Sequence, residues 1–525
     1  MTSVRERIFQ VFRAHELSVI FGNPGSTELP MLQDFHGDYS YILGLQEASV
    51  VAMGVGYSFQ KENAAVVNLH TAAGTGNAMG AIVTASHAQA PLIVTAGQQD
   101  RRQIWTEPFL WGKQVDFVRP YVKWSIEPHR SVDVPQAIER AYHVAMSEPK
   151  GPVFVSIPMD GMEDECPPVE TRRISYKIAP DPSALLEISS AISKAKRIAL
   201  IAGEQVDGTN SMDEMVKLAE KLKCPVFLPP IAYRWSFPSR HELFRGHLPA
   251  AMKPISDLLS PFDLVLVFGT SVFLYYPYVP GPLIADGTQV FQITNDPSMA
   301  SRAVTGTSII ADVSLALKQL IPLVKQREND GGLPPRRSSS REMRSSVPPS
   351  SEYVEHILGN AISSNAIVFH EAPTSERFSQ FNIVQPRSHF VTASGGLGFA
   401  MPAAVGAAIA QAERPVVSIV GDGSAQYSIQ SMWSAAQYQA AVTFIVLNNE
   451  EYAILKSFGM MLHEEGLPGL DVPGIGFEGL AKGYGVGFKK IIDPDQIEPV
   501  VREAILSGKP SLIEIPIDKH VTALL

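Results

Sequence analysis

Cysteine is nearly absent: Cys166 and Cys224 are the only two in 525 residues, so neither a disulfide framework nor a cysteine-built zinc site holds this chain together. The chain must fold on buried apolar surface, and its length implies about three domains, each large enough for its own core. A reducing cytoplasm is the natural setting for such sparse cysteine. Basic excess is missing too. With 43 Lys and Arg against 53 Asp and Glu, the formal charge is −10 and no basic stripe stands out, which excludes nucleic acid as a general partner. The N-terminus, Met-Thr-Ser-Val-Arg-Glu-Arg, has no apolar signal core, so export is not expected. The longest apolar run, Leu264 to Ile284, is broken by Pro277, Pro280 and Pro282, and reads as a buried strand entering an apolar loop, with no membrane span.

What the chain does have is concentrated near its end. Val416 to Val420 is an apolar strand run that closes on Gly421-Asp422-Gly423-Ser424, and Val442 to Leu447 is a second run that closes on Asn448-Asn449. Between them Met432, Trp433, Ala435, Ala436 and Tyr438 fall at helical spacing. Strand, helix, strand places both polar tips on one sheet edge, where ligands bind in α/β proteins. Asp422 offers a carboxylate oxygen, Asn449 an amide oxygen and Glu451 its backbone carbonyl, a set of hard oxygens suited to Mg²⁺. Gly421, Gly423 and Ser424 bring backbone N–H groups near a phosphate.

Three further strand tips stand out in the N-terminal part. Val19-Ile20-Phe21 runs into Gly22-Asn23-Pro24-Gly25-Ser26; Tyr41 to Leu45 leads to Gln46-Glu47; Ala64 to Leu69 leads to His70. Ser26, Glu47 and His70 thus reach one edge, with Glu47 set against the apolar helix Ala48 to Phe59 and its neutral form favoured there. The fold class expected is α/β, three doubly wound parallel-sheet domains. Residues 1–180 form the first and 181–325 a Rossmann-like central domain. The second lacks a Gly-x-Gly-x-x-Gly fingerprint, Gly203 and Gly208 being the nearby glycines, so no dinucleotide is expected there. Residues 326–350, rich in Ser, Pro, Gly and Arg, read as a surface linker, and 351–525 as the third domain.

With these residues assembled, the whole chain resembles the thiamine diphosphate (ThDP)-dependent 2-oxo acid decarboxylases, on their benzoylformate-decarboxylating branch. The stretches that carry the likeness are Phe21 to Ser26, Leu45 to Ala48, Asn68 to His70 with Ala72 to Asn77, Phe237 to His241, Gly395 to Phe399, Gly421 to Ser424 and Gly469 to Gly474. The resemblance implies pyrimidine-binding, central and diphosphate-binding domains in that order, with each active site shared between the first domain of one subunit and the third of another. A homodimer is then the minimum and a homotetramer usual. It implies ThDP and Mg²⁺ as cofactors. Glu47, Gly395, Leu397, Gly421, Asp422, Gly423, Ser424, Asn449 and Tyr452 would bind the cofactor, with Leu397 as the wedge that brings its rings together. Asp422, Asn449 and Glu451 would bind the metal. Glu47, His70 and Ser26 would be catalytic: Glu47 on the pyrimidine, Ser26 on the substrate carboxylate, His70 moving protons. Pro24, Tyr276, Ile454, Leu455 and Phe458 would line a pocket for the aryl group of a small 2-oxo acid, with Tyr275 nearby. The reaction implied is loss of CO₂ and release of an aldehyde, because the thiazolium ring supplies an electron sink that protein side chains lack.

One position departs from the pattern. The segment Val272 to Tyr278 carries Tyr276 where the benzoylformate-decarboxylating relatives have a second active-site histidine. Phenols ordinarily titrate near 10 and imidazoles near 6.5, so a tyrosine is a poor proton relay at neutral pH. Proton delivery could pass to His463, or a second carbonyl compound could take the proton's place. The latter is a carboligase or acetolactate-synthase-like reaction, giving a 2-hydroxy ketone or acetohydroxy acid. A non-catalytic ThDP-binding homologue is a third reading, opposed by the presence of both Glu47 and His70.

Overall fold

The computed structural model describes residues 2–328, 332–336, 343–374, 380–464 and 466–521. Parts of the linker reading, 329–331 and 337–342, lie outside the described residues. Three six-stranded sheets follow one another along the chain, and every strand pairing within them is parallel. The central strands are runs rich in Val, Ile, Leu and Phe with little alternation, as sheets covered by helices on both faces require.

In the first sheet, β1 (Val19–Gly22), β2 (Ser40–Leu43), β3 (Ala65–Leu69), β4 (Leu92–Gln98), β5 (Ser125–Ile126) and β6 (Val153–Pro158) lie in the order β2-β1-β3-β4-β6-β5. The second sheet holds β7 (Ile198–Ala202), β8 (Val226–Leu228), β9 (Phe244–His247), β10 (Leu264–Phe268), β11 (Gln289–Thr294) and β12 (Thr307–Ile310), ordered β12-β11-β10-β7-β8-β9. That is the Rossmann order, reversing between β7 and β10. In the third, β13 (Ile367–Glu371), β14 (His389–Val391), β15 (Val416–Gly421), β16 (Val442–Asn448), β17 (Gly487–Lys490) and β18 (Ser511–Pro516) lie as β14-β13-β15-β16-β18-β17. The third sheet therefore repeats the order of the first, and in both the order reverses between the first and third strands, which opens a crevice at the carboxyl edge.

The two repeats are joined backbone to backbone. Helix Glu47–Lys61 of the first domain crosses helix Ala400–Ala410 of the third, and both are built of small and apolar residues buried on nearly every side. A Cβ on Gly56 would stand 1.9 Å from the Ala403 carbonyl oxygen, and one on Gly406 would stand 1.9 Å from that of Met53. Glycine at both positions is what lets the axes come this close. At the neighbouring edge the Tyr438 hydroxyl accepts from Leu43 N–H at 2.8 Å and the Ser434 hydroxyl donates to the Leu43 carbonyl at 2.9 Å.

Local differences from the sequence expectations have simple causes. Glu47 is the first residue of its helix, not a strand tip: Gln46 is the N-cap, its side chain accepting from Ser49 N–H at 3.0 Å, and β2 stops at Leu43. The Asp422 turn becomes helical at Asp422 itself, over Asp422–Ala425, ahead of Ser424. The apolar run from Leu264 is β10 followed by an irregular loop that exposes Tyr276 and Tyr278. Among the described residues no helix is long and apolar enough to cross a membrane.

Candidate active site

At the third-domain crevice a cleft of about 450 Å³, open to solvent, is lined by Leu397, Gly421, Asp422, Gly423, Ser424, Asn449, Glu451, Tyr452 and Ile454, together with Ala372 to Thr374 and Ile517. The loop after β13, the tip of β15 and the tip of β16 all border it. Asp422 is held from two sides, Gly423 N–H donating to Oδ1 at 2.8 Å and Glu450 N–H to Oδ2 at 2.6 Å. Burial pushes its pKa up to about 6, against the pull of those two N–H donors. Asn449 Oδ1 accepts from Glu451 N–H at 3.3 Å. One oxygen of the Glu451 carboxylate, Oε2, pairs with Lys456, which also reaches Asp471 at 2.7 Å. Tyr452 packs so tightly on Gly423 that a Cβ there would lie 2.5 Å from the ring.

Leu397 reaches this cleft because its loop is tied at both ends. Buried Glu371, the last residue of β13, accepts from the N–H groups of Gly398 at 2.6 Å, Phe399 at 2.8 Å and Ala400 at 2.7 Å. Burial raises the Glu371 carboxyl to about 7, with the three N–H donors pulling the other way. At the other end the Ser394 and Thr84 hydroxyls meet at 2.7 Å across the domain boundary. Gly395 itself is exposed, with φ +72°.

The first-domain crevice is organised by a residue the sequence reading passed over. Glu28, buried behind Ser26, accepts from Gly25 N–H at 2.7 Å, Gly97 N–H at 2.7 Å and the Thr27 hydroxyl at 2.8 Å, and its Oε2 lies 2.8 Å from His70 Nδ1. A carboxylate with so many donors aimed at it can only accept, so the neutral imidazole carries its proton on Nδ1 and presents a lone pair at Nε2. His70 lies flat against Gly25, where a Cβ would meet Nδ1 at 2.2 Å. The turn that aims the ring is strained: Thr71, β-branched and buried, has φ +47°. Glu47 is half-buried instead of enclosed, and Asn77 donates to its Oε2 at 3.2 Å. Ser26 is exposed on the turn after β1, with Pro24 half-buried two residues before it. None of these first-domain residues lines the Asp422 cleft.

Helix Ala453–Leu462 starts at the cleft, where Ile454 lines it, and continues outward through half-buried Phe458. The Tyr276 ring, from the loop after β10, sits 5.3 Å from that of Phe458, so a central-domain loop and a third-domain helix meet there. Leu455 is exposed beside them. Tyr275 is half-buried, its hydroxyl donating to the Leu283 carbonyl at 3.4 Å. His463 caps the far end of the helix, exposed, about 14 Å of helical rise beyond Ile454.

Family models match all three domains: the N-terminal TPP binding domain of thiamine pyrophosphate enzymes over residues 2–114, their central domain over 185–320, and their C-terminal TPP binding domain over 374–515. Benzoylformate decarboxylase of Pseudomonas aeruginosa is 40% identical over 526 aligned residues, covering 98% of this chain and 99% of that protein. The chain belongs to the thiamine diphosphate-dependent 2-oxo acid decarboxylase family. Among solved structures, benzoylformate decarboxylase from Polynucleobacter necessarius superposes with a TM-score of 0.96 at 38% identity, over 100% of both chains. A thiamine diphosphate-dependent 4-hydroxybenzoylformate decarboxylase of Rhodococcus jostii RHA1 gives 0.95 at 38% identity, over 98% of this chain and 99% of that one. The family's cofactor is thiamine diphosphate, and the residues present fit it: Gly421 and Gly423 border the cleft with no side chain in the way, and its polar wall is oxygen-rich where a diphosphate with a hard cation would lie.

Proposed function

We propose that this enzyme decarboxylates an aromatic 2-oxo acid of the benzoylformate type to the aldehyde and CO₂, using thiamine diphosphate and Mg²⁺. Asp422, the Asn449 side chain and the Glu451 carbonyl would hold the metal against the diphosphate, whose charge it neutralises. Glu47 would hydrogen-bond the pyrimidine, with Leu397 supporting the cofactor from below. Bound thiamine diphosphate supplies an electron sink for the bond to the departing carboxylate. The chain's own residues bind, orient and move protons: Ser26 takes the substrate carboxylate, and His70 Nε2, its lone pair fixed by Glu28 on the other side of the ring, accepts and returns a proton.

The observation that carries the aryl reading is the Tyr276–Phe458 contact, 5.3 Å between centroids, beside a helix that begins at the cofactor cleft. Two rings from different domains, tilted 53° to each other, offer apolar ring surface at the mouth of the cleft, and an aryl group gains more from packing on it than a methyl group does. Because the first-domain residues do not border the Asp422 cleft of their own chain, we infer that a second chain completes each site, in a homodimer or a homotetramer of such pairs.

Incubation with benzoylformate, ThDP and Mg²⁺ tests this. Benzaldehyde and CO₂ in equal amounts, with pyruvate turned over far more slowly, are the expected products; no aldehyde from any aryl 2-oxo acid overturns the reading. Tyr276 gives a second reading specific support, since a site short of a proton donor can deliver a second carbonyl compound instead. The probable acetolactate synthase large subunit of Methanococcus aeolicus is 23% identical in an alignment that covers 98% of this chain and 92% of that protein. A 2-hydroxy ketone or acetohydroxy acid as main product would favour that carboligase reading.

A further inference from the structure

The first domain also brings together two histidines and a carboxylate that have no part in either crevice. His15 follows the last turn of helix Val4–Ala14, while Glu139 and His143 stand one turn apart on helix Val134–Met146. His15 Nε2 lies 2.6 Å from Glu139 Oε2, and His143 Nε2 lies 2.9 Å from Oε1 of the same carboxylate. The three ligand atoms lie within 4.8 Å of one another, and among the described residues no other group of three or more His, Cys, Asp and Glu side chains is gathered in this way. The side chains are 8%, 2% and 11% exposed, so this is a built cluster and not a surface coincidence.

We propose that His15 Nε2, His143 Nε2 and the Glu139 carboxylate bind a divalent transition-metal cation, zinc foremost, with water in the fourth position. Imidazole nitrogen with one carboxylate is a borderline donor set that suits zinc, and Mg²⁺, which prefers an all-oxygen shell, would be a poor occupant. Tetrahedral zinc places its ligand atoms roughly 3.3 Å apart, so the 2.6 Å and 2.9 Å contacts would open by about 0.7 and 0.4 Å while the three ligand atoms, now within 4.8 Å of one another, draw in around the ion. The surroundings already orient the donors. The Tyr176 hydroxyl is 2.6 Å from His143 Nδ1, and by accepting that N–H it would leave the Nε2 lone pair for the metal. The His15 ring is stacked on Tyr142, centroids 3.8 Å apart and planes 19° from parallel, and its backbone carbonyl is held by the Asn63 amide at 2.9 Å. Glu139 Oε1 is further fixed by Arg172 N–H at 2.9 Å. Arg172 and Tyr176 lie on the segment that leaves the first domain for the central one, so a metal here would clamp the N-terminal helix, a second helix and the exit from the domain.

The test uses the full-length protein with ThDP and Mg²⁺ kept present. After equilibrium dialysis against Zn²⁺, metal analysis is expected to find one zinc per chain in the wild type and none in His15→Gln or His143→Gln at the same free zinc. Co²⁺ in place of Zn²⁺ is expected to give the intense visible bands of a four-coordinate, nitrogen-ligated ion, which oxygen ligation around Asp422 cannot produce. Turnover is expected to be unchanged in both variants. Equal zinc in wild type and variants, or no zinc in the wild type, overturns the proposal. Should the variants fail to fold, the wild-type cobalt spectrum decides alone: weak bands of octahedral oxygen ligation overturn it as well.

Discussion

The first-domain and third-domain sheets run in the same strand order, and each opens a crevice between its first and third strands, yet the tips they present do opposite work. In the first, a buried acid grips the turn after β1 and fixes an imidazole, so under the proposed function this edge would handle protons. In the third, a buried acid at the end of β13 grips three N–H groups of the Leu397 loop, and the neighbouring tips offer Asp422 and Asn449 as oxygens, so under the proposed function this edge would hold a metal and a polyanion. The lesson is that topology supplies the crevice and the position of a buried carboxylate, while the residue that the carboxylate holds decides the chemistry.

Breaking each edge separately sharpens that contrast. The largest effect is expected at the third: Asp422→Ala leaves the protein folded but unable to retain ThDP and Mg²⁺, with turnover at background, as equilibrium binding and assay would show. At the first edge, His70→Ala is expected to lower kcat by about 10³-fold, and Glu28→Gln by about 10²-fold through loss of the ring's orientation, each with ThDP affinity unchanged. Loss of ThDP binding in either variant would mean that the two edges are not divided as described.

What joins the edges is expected to matter for stability and not for chemistry. Gly406→Ala drives a methyl group into the Met53 carbonyl and should cost about 3 kcal/mol, read as a lowered melting temperature of both holo- and apoprotein. The smallest effect lies in the central domain, outside both edges. Burial raises the Glu204 carboxyl to about 7 from 4.5, so the folded protein binds more protons than the unfolded chain between those values. Its contribution is fully present below the unfolded value and is lost as pH rises through about 7. Glu204→Gln should therefore melt a few degrees above wild type at pH 8 and level with it at pH 5, by calorimetry at the two pH values.

Much of this was legible in the sequence, and for a physical reason. Long central strands such as β4, β10 and β16 are continuous apolar runs ending at polar tips, so the strands and the tips Ser26, His70, Asp422 and Asn449 announce themselves locally. Short outer strands such as β5, β9, β12, β14 and β17 do not, because a few residues at a sheet margin carry no periodicity. Glu28 was missed for a different reason: it reads as an ordinary turn acid, and its burial comes from Gly97, 69 residues away, and His70, 42 away. The Gly56–Gly406 crossing likewise depends on two helices that no local pattern pairs. A signal did exist for Glu28, namely an acid two residues beyond Gly-Ser and immediately before an apolar Leu-Pro helix start.

The central claim is that one cofactor spans the first edge of one chain and the third edge of another. Mixing separately inactive Glu47→Gln and Asp422→Ala proteins after dissociation, then reassembling them, tests it directly. Hybrid dimers would contain one wild-type site, so activity should recover to about a quarter of the wild-type value under random pairing. Activity that stays at the level of the separate variants, with hybrids demonstrably formed, would contradict it.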